Sequence, residues 1–251
     1  MLEARALSFR YAANRPWIFR NVSVRAEYGE VLAVLGPNAR GKTTMLKCLA
    51  GLLRPVAGTV AAKGRVGYVP QSHSVVFAFS VLDIVLMGRA RTVKIYSSPT
   101  AADRAAAREA LRRVGADHLA DREYTGLSGG ERQLVLIARA LVSECDIIVL
   151  DEPASALDLR NQAQVLAVLR TLADDGMSVV MTTHHPDHAL HVAERSMLMV
   201  DAHDRRIGPT RELLTGTLLS EMYGVPIVTS DVETPSATRR LAVPDFGRGI
   251  A

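Results

Sequence analysis

The residues best equipped for chemistry sit at three points of this 251-residue sequence. Gly36-Pro37-Asn38-Ala39-Arg40-Gly41-Lys42-Thr43 carries the G-x-x-x-x-G-K-T spacing that wraps backbone N–H groups around an anion at the start of a helix. In such a loop Lys42 reaches the terminal phosphates and the Thr43 hydroxyl can ligate Mg²⁺. Asp151-Glu152-Pro153 places two adjacent carboxylates after the apolar run DIIVL. Acids at the carboxyl end of a parallel strand stand where open α/β sheets bind ligands. Asp151 suits a metal ion, directly or through water, and Glu152 suits orienting and deprotonating an attacking water. His184 follows a third apolar run, Val179 to Thr183, at the same sheet edge, where a phosphate contact or a water contact fits it. His184, His185, His188 and His191 have the helical spacings of a metal cluster, but Pro186 interrupts them and no acid or cysteine stands in register.

These groups need elements to hold them. The uninterrupted apolar run from Val31 to Gly36 reads as a strand covered on both faces, and the helix after the loop runs to about Leu53, before Arg54-Pro55. From Leu2 to Tyr28 apolar and polar residues alternate, which predicts half-buried antiparallel strands. Tyr11 lies between them, about thirty residues ahead of Lys42; it either packs as a strand residue or stacks on a base. A short strand from Arg65 to Val69 ends at Pro70-Gln71. From Ser80 to about Asp121 the pattern turns helical. Ser80 with Asp83 and Thr100 with Asp103 have capping-box form, the second helix closes at Gly115, and the link near Lys94 to Pro99 is polar and turn-prone.

Ser128 with Glu131 opens another helix with Leu134, Ile137, Ala138 and Leu141 on one face. Gly129 and Gly130 at its mouth fit a plain cap and an anion site equally. A further helix buries Val165, Leu166, Leu169 and Leu172 and ends at Gly176. Beyond Met199 come a short strand, a helical stretch from Arg211 to Tyr223 and a tail from Pro226 whose last twenty or so residues read as weakly ordered.

At 48% hydrophobic residues the chain can bury one substantial core, and its length forces no second full domain. No run approaches the roughly 18 to 20 apolar residues of a bilayer span, and MLEARALSFR lacks the apolar middle of a signal peptide. The expectation is a soluble chain that stays in the cytosol unless a partner holds it at a membrane. Cys48 and Cys145 lie far apart in apolar surroundings, as reduced core thiols would. Thirty basic and 26 acidic residues are interspersed without a basic block, so the net charge of +4 gives nucleic acid little to grip.

Taken in order, these pieces resemble the nucleotide-binding subunit of ATP-binding cassette transporters over nearly the whole chain. The resemblance rests on the phosphate loop at 36 to 44, Gln71, LSGGERQ at 127 to 133, IIVLDEP at 147 to 153, Ser155-Ala156-Leu157-Asp158 and TTHHP around His184. It implies an α/β fold with a P-loop NTPase core on a mostly parallel sheet, an N-terminal antiparallel β subdomain and an inserted helical subdomain at about 72–126. Residues 1–225 would form a single domain, and 226–251 a tail of unassigned role.

The same resemblance implies roles. Tyr11 would stack on adenine, Lys42 and Thr44 would bind the phosphates of ATP, and Thr43 with Asp151 would hold Mg²⁺. Gln71 would sense metal and γ-phosphate, Glu152 would be the general base, and His184 would bridge the γ-phosphate and the neighbouring subunit. Ser128, Gly129 and Gly130 would face ATP held by a second copy, two copies sandwiching two ATP molecules. GYVPQ, VLMGR, SALD and TTHHPDHAL look like importers of metal chelates (iron-siderophore, haem, vitamin B12) and of molybdate or tungstate, with VLDIVLMGR nearest the molybdate/tungstate branch. Partners would be two polytopic membrane subunits, docked on the helical subdomain from Ser72 to Thr125, and a periplasmic or extracellular solute-binding protein. A soluble cassette ATPase acting on DNA or ribosomes is the competing reading; those carry a long coiled-coil insertion or two cassettes, and this chain has neither. Two departures stand out. The family's loop has Gly-Ala or Gly-Cys where this chain has Ala39-Arg40, and Asp is common where His185 stands, so His185 receives no role.

Overall fold

Alternating and continuous apolar runs separate the strands into two kinds, and each kind builds its own sheet. In the computed structural model, which describes residues 1–71, 78–90 and 98–247, β1 (Leu2–Phe9) and β2 (Phe19–Ala26) alternate buried and open positions, broken by register shifts between Ala4 and Leu7 and between Leu7 and Phe9, and pair antiparallel, Leu2 opposite Ala26. β3 (Val31–Leu35) is buried at all five positions. After the phosphate loop comes α1 (Lys42–Leu49), then β4 (Ala57–Ala62), which completes a three-stranded sheet in the order β2-β1-β4. β5 (Val66–Val69) begins the strands that flank β3.

The helical insertion contains α2 (Val81–Leu86) and α3 (Ala101–Arg113), and α4 (Gly129–Leu141) packs against both. There follow β6 (Ile147–Leu150), α5 (Leu159–Asp174), β7 (Ser178–Thr183), α6 (Pro186–Val192), β8 (Arg195–Met199) and β9 (Arg205–Pro209). The chain continues through α7 (Thr210–Leu213) and α8 (Gly216–Tyr223) to a hairpin of β10 (Ile227–Glu233) and β11 (Thr238–Pro244).

The main sheet runs β5-β6-β7-β3-β8-β9, parallel apart from β9. Period-two alternation on β3 divides the interior. Val31, Ala33 and Leu35 belong to the core shared with α2 to α6, while Leu32 and Val34 belong to the core shared with α1, β1 and β2. Parallel registration matters most for function: Val69 pairs with Leu150, Leu150 with Met181, and Leu35 with Thr183. The carboxyl ends of β5, β6, β7 and β3 therefore line up, and the residues just beyond them (Gln71, Asp151, Glu152, His184 and Gly36) emerge along one edge.

Capping follows the sequence closely. Thr100 and Asp103 make both halves of the capping box, as do Ser128 and Glu131, and the Ser80 hydroxyl accepts the Asp83 N–H at 3.1 Å. Four expectations change. The first helix ends at Leu49, not Leu53, because the Leu52 and Gly51 N–H groups turn back to the carbonyls of Lys47 and Cys48, a helix-ending pair. The stretch from Arg211 to Tyr223 is two helices, α8 restarting on a Thr215 cap. The tail is not loose through 247: β10 and β11 pair along their whole length, and Ile227 and Ala242 join the main core, so their burial orders residues whose composition reads as disordered. β4 and β8 also form where no strand was expected. The turn expected near Lys94 to Pro99 falls mostly outside the described residues. Cys48 and Cys145 are buried free thiols, and burial pushes the Cys48 thiol up to about 11.

Candidate active site

The phosphate loop owes its shape to two backbone conformations. Gly41 caps α1 at φ +87°, and a Cβ there would collide with Ile18, so both conformation and space demand glycine. Ala39 also lies in the left-handed region, at φ +63°, where a side chain costs about 1 kcal/mol. Ala39→Gly should relieve that strain and leave turnover equal or faster; a steady-state assay showing a drop of about tenfold or more, some 1.4 kcal/mol, would mean the loop is adapted to alanine.

Lys42 lies buried beneath the loop. Its ammonium donates to the carbonyls of Gly36 (2.8 Å) and Pro37 (3.2 Å) and stands 3.3 Å from Glu152 Oε1. Glu152 is the hub of the site. Beyond Lys42, its carboxylate accepts from Gln71 Nε2 at 3.2 Å and meets His184 Nδ1 at 3.0 Å. The Glu152 backbone sits at φ +48°, an uncommon conformation for this residue, and it is locked there from two sides. Its N–H donates to Thr182 Oγ1 at 2.8 Å, and its carbonyl accepts the Ser155 hydroxyl at 2.8 Å.

Asp151 is buried, and its Oδ1 accepts the Thr182 hydroxyl at 2.7 Å. One fully buried threonine hydroxyl on β7 thus ties down both acid-bearing residues that follow β6. Thr182→Val keeps the shape but strands the Glu152 N–H and frees the Asp151 carboxylate. An unsatisfied buried group costs about 1–3 kcal/mol, so we expect turnover to fall by about 10- to 100-fold with the fold intact by circular dichroism. Unchanged turnover would remove Thr182 from the site.

A cavity of about 700 Å³ opens over these groups, lined by Asn38 to Thr44, Gln71, Glu152 and His184, with Ile18, Ser155 and Ala156. Tyr11 closes one side. It stands beyond the end of β1, 68% exposed, its ring edge-on to Phe9 at 5.1 Å and its hydroxyl 3.1 Å from Thr44 Oγ1. Of its two sequence readings, ordinary strand packing is therefore excluded, and an open aromatic face borders the cavity.

A divalent metal ion fits the donors present. Thr43 supplies a hydroxyl, Asp151 keeps one carboxylate oxygen beyond the Thr182 bond, and Gln71 uses its amide nitrogen on Glu152, leaving its carbonyl oxygen as an acceptor. An all-oxygen set with a single carboxylate suits Mg²⁺ completed by phosphate oxygens. The histidines of the β7–α6 segment take different partners: His184 meets Glu152, His188 meets Thr183 and Gln162, and His191 meets Arg239.

Ser128, Gly129 and Gly130 are not part of this cavity. The Ser128 hydroxyl accepts the Glu131 N–H at 3.3 Å, and Glu131 accepts the Ser128 N–H at 2.7 Å, a bond that holds the Glu131 carboxyl below its usual range. The cap is complete, with the Ser128 hydroxyl also bonded to the Glu131 carboxylate. Gly130 has a reason within the chain, since a Cβ there would collide with Asn161 of α5.

Sequence reasoning passed over Thr182, Ile18 and Tyr223. Two threonines closing an otherwise apolar strand could have flagged Thr182. Nothing in the pattern marks Tyr223, whose hydroxyl donates to the His184 carbonyl at 2.8 Å and whose phenol burial pushes well above the usual tyrosine range.

Comparison with known proteins adds a separate line of observation. Residues 19–155 match the family described as ABC transporter. The chain is 43% identical over 227 residues to the molybdate import ATP-binding protein MolC of Haemophilus influenzae, covering 90% of this chain and 89% of that one. It is 37% identical over 245 residues to the hemin import ATP-binding protein HmuV of Gloeobacter violaceus, covering 90% and 88%. Among solved structures, a metal-chelate type ABC transporter in an inward-facing conformation superposes with a TM-score of 0.92 at 41% identity, over 98% of this chain and 97% of that one. A dimeric bacterial ABC transporter cassette superposes with a TM-score of 0.73 at 26% identity, over 84% and 99%.

Proposed function

This chain belongs to the ABC transporter family, and from that premise we propose that it is the ATP-hydrolysing subunit of an importer, coupling ATP binding and hydrolysis to uptake of a metal chelate or oxyanion. The observation that carries the reading is the convergence of Lys42, Gln71, Glu152 and His184 on one cavity under the exposed face of Tyr11.

Tyr11 offers its ring to adenine, and the loop from Gly36 to Thr44 offers backbone N–H groups and the start of α1 to the phosphates. Lys42, 3.3 Å from Glu152, would exchange that carboxylate for phosphate oxygens. Glu152 is then left with Gln71 and His184, free to orient a water and accept its proton as the water attacks the γ-phosphorus. Thr43, Gln71 and Asp151 would hold Mg²⁺, which when bound neutralises charge on the phosphates. His184 bridges Glu152 and the γ-phosphate, and Thr182 keeps Asp151 and Glu152 in register.

Ser128, Gly129 and Gly130 form an N–H-rich helix tip without a lysine, outside the lining of the chain's own cavity. Such a tip is suited to ATP held by a second copy, so that two copies close on two nucleotides. The dimeric cassette among the structural relatives is consistent with that arrangement. Two polytopic permease subunits dock on the helical insertion and hold the chain at the cytoplasmic face of the membrane, and a solute-binding protein delivers cargo. Among the described residues no helix is long and apolar enough to cross a membrane, so attachment falls to such partners. The importers that the chain resembles carry molybdate in one case and hemin in another, and the oxyanion is the first cargo to test.

A strain lacking this chain should regain uptake of labelled molybdate or tungstate with the wild-type chain and not with Glu152→Gln. Restored uptake of haem or an iron chelate in its place would reassign the cargo. Affinity capture from detergent-solubilised membranes should retain a polytopic membrane protein; capture of nucleic acid without one would overturn the transport reading.

A further inference from the structure

A line of contacts runs from the hydrolytic carboxylate to the tip of α4 without leaving the chain. His184, which meets Glu152, follows Thr183, whose hydroxyl lies 3.3 Å from His188 Nδ1 on α6. His188 Nε2 lies 3.4 Å from Gln162 Oε1 on α5, and Gln162 Nε2 donates to the Leu157 carbonyl at 2.9 Å. The Leu157 side chain reaches within 3.3 Å of where a Cβ on Gly129 would stand, and Asn161 packs on Gly130.

Gln162 gives its N–H to Leu157, so its oxygen accepts from His188 Nε2–H. Burial lowers the His188 pKa to about 4, so the ring is neutral at pH 7 and its Nδ1 accepts from the Thr183 hydroxyl, whose oxygen also takes the His185 N–H at 3.0 Å. The core does not need the bridge, because α5 is already anchored by Val165, Leu166, Leu169 and Leu172. The turn from Ser155 to Asp158 is held at its ends, where Ser155 donates twice to the Glu152 carbonyl and Asp158 caps α5. Between them Ala156 lies at φ +60°, and Leu157 packs its side chain on the core while its carbonyl accepts from Gln162.

We propose that Gln162 and His188 are positioning residues that fix the Ser155–Asp158 turn, and with it the Ser128-Gly129 tip, to the strand end bearing His184. The tip offered to a second copy's nucleotide then keeps a set position relative to the chain's own hydrolytic site. The inference rests on the reading that two copies close around ATP.

The test uses the full-length Glu152→Gln chain with Mg²⁺ and ATP, following dimer formation by light scattering and ATP binding to dilute monomer by equilibrium dialysis. Adding Gln162→Leu or His188→Leu should raise the ATP concentration for half-dimerisation about tenfold, the worth of one buried hydrogen bond, with monomer affinity unchanged. The double variant should be no worse than either single one, since both cut the same bridge. Gln162→Glu, which keeps an oxygen for His188 but cannot donate to Leu157, should show the same loss. Leu172→Ala, which weakens α5 away from the bridge, should not shift dimerisation.

Dimerisation midpoints equal to the parent's, losses that add in the double variant, or an equal loss from Leu172→Ala would each overturn the proposal. If the parent itself stays monomeric with ATP, the two-copy reading falls and this one with it. If the parent dimerises and the variants match it, only the bridge fails.

Discussion

Glu152→Gln should lower ATP turnover by about 10²- to 10⁴-fold while ATP binding and ATP-dependent dimerisation survive. The amide keeps the size of the side chain and one acceptor oxygen but cannot take a proton from water. The geometry adds a second part to this expectation. Lys42 is paired with Glu152, 3.3 Å away with both side chains buried, so the carboxylate competes with phosphate for the lysine. Removing its charge should leave ATP affinity equal or tighter. A phosphate-release assay beside a binding titration checks both halves. Retained turnover would take Glu152 out of its role as base, and a weaker affinity would mean that the pair assists binding.

Lys42→Ala should be the more damaging substitution, because it acts on fold and function together. Turnover should fall below detection, since the loop loses the cation aimed at the terminal phosphates. The chain without nucleotide should also lose about 3 kcal/mol, because truncating one member of a buried ion pair leaves the other charge uncompensated. For a chain of this size that corresponds to a melting temperature lower by roughly 6–12 °C. Combining Lys42→Ala with Glu152→Gln removes both charges and should recover most of the stability and none of the turnover. Differential scanning calorimetry on the two single variants and the double variant reads the coupling directly. A double variant as unstable as Lys42→Ala alone would show that the lysine stabilises the loop through the Gly36 and Pro37 carbonyls, and not through Glu152.

The importance of that pair was not visible in the sequence. Lys42 and Glu152 were each legible from local pattern, one inside a glycine-spaced loop and the other after a buried strand. Their contact depends on β3 and β6 flanking β7 in parallel register, with their carboxyl ends level. Thr182 is a similar case. Its hydroxyl matters because β7 runs beside β6, where it meets both Asp151 and the Glu152 N–H.

By itself the sequence determined much of what short-range physics sets. The all-apolar strand, the glycine spacing of the loop, the capping boxes at Thr100 and Ser128 and the inward faces of α4 and α5 depend on residues within a few turns of one another. The sequence order of those motifs was enough to indicate the family. Tertiary structure alone decided what depends on burial by distant segments. It set Tyr11 at a cavity rim instead of inside a sheet, ordered a polar tail as a hairpin by burying Ile227 and Ala242, and gave Gly130 a packing reason in Asn161. It also joined His188 to Gln162 across two helices. Periodicity records which face of an element is buried, and only the folded chain supplies the surface that buries it.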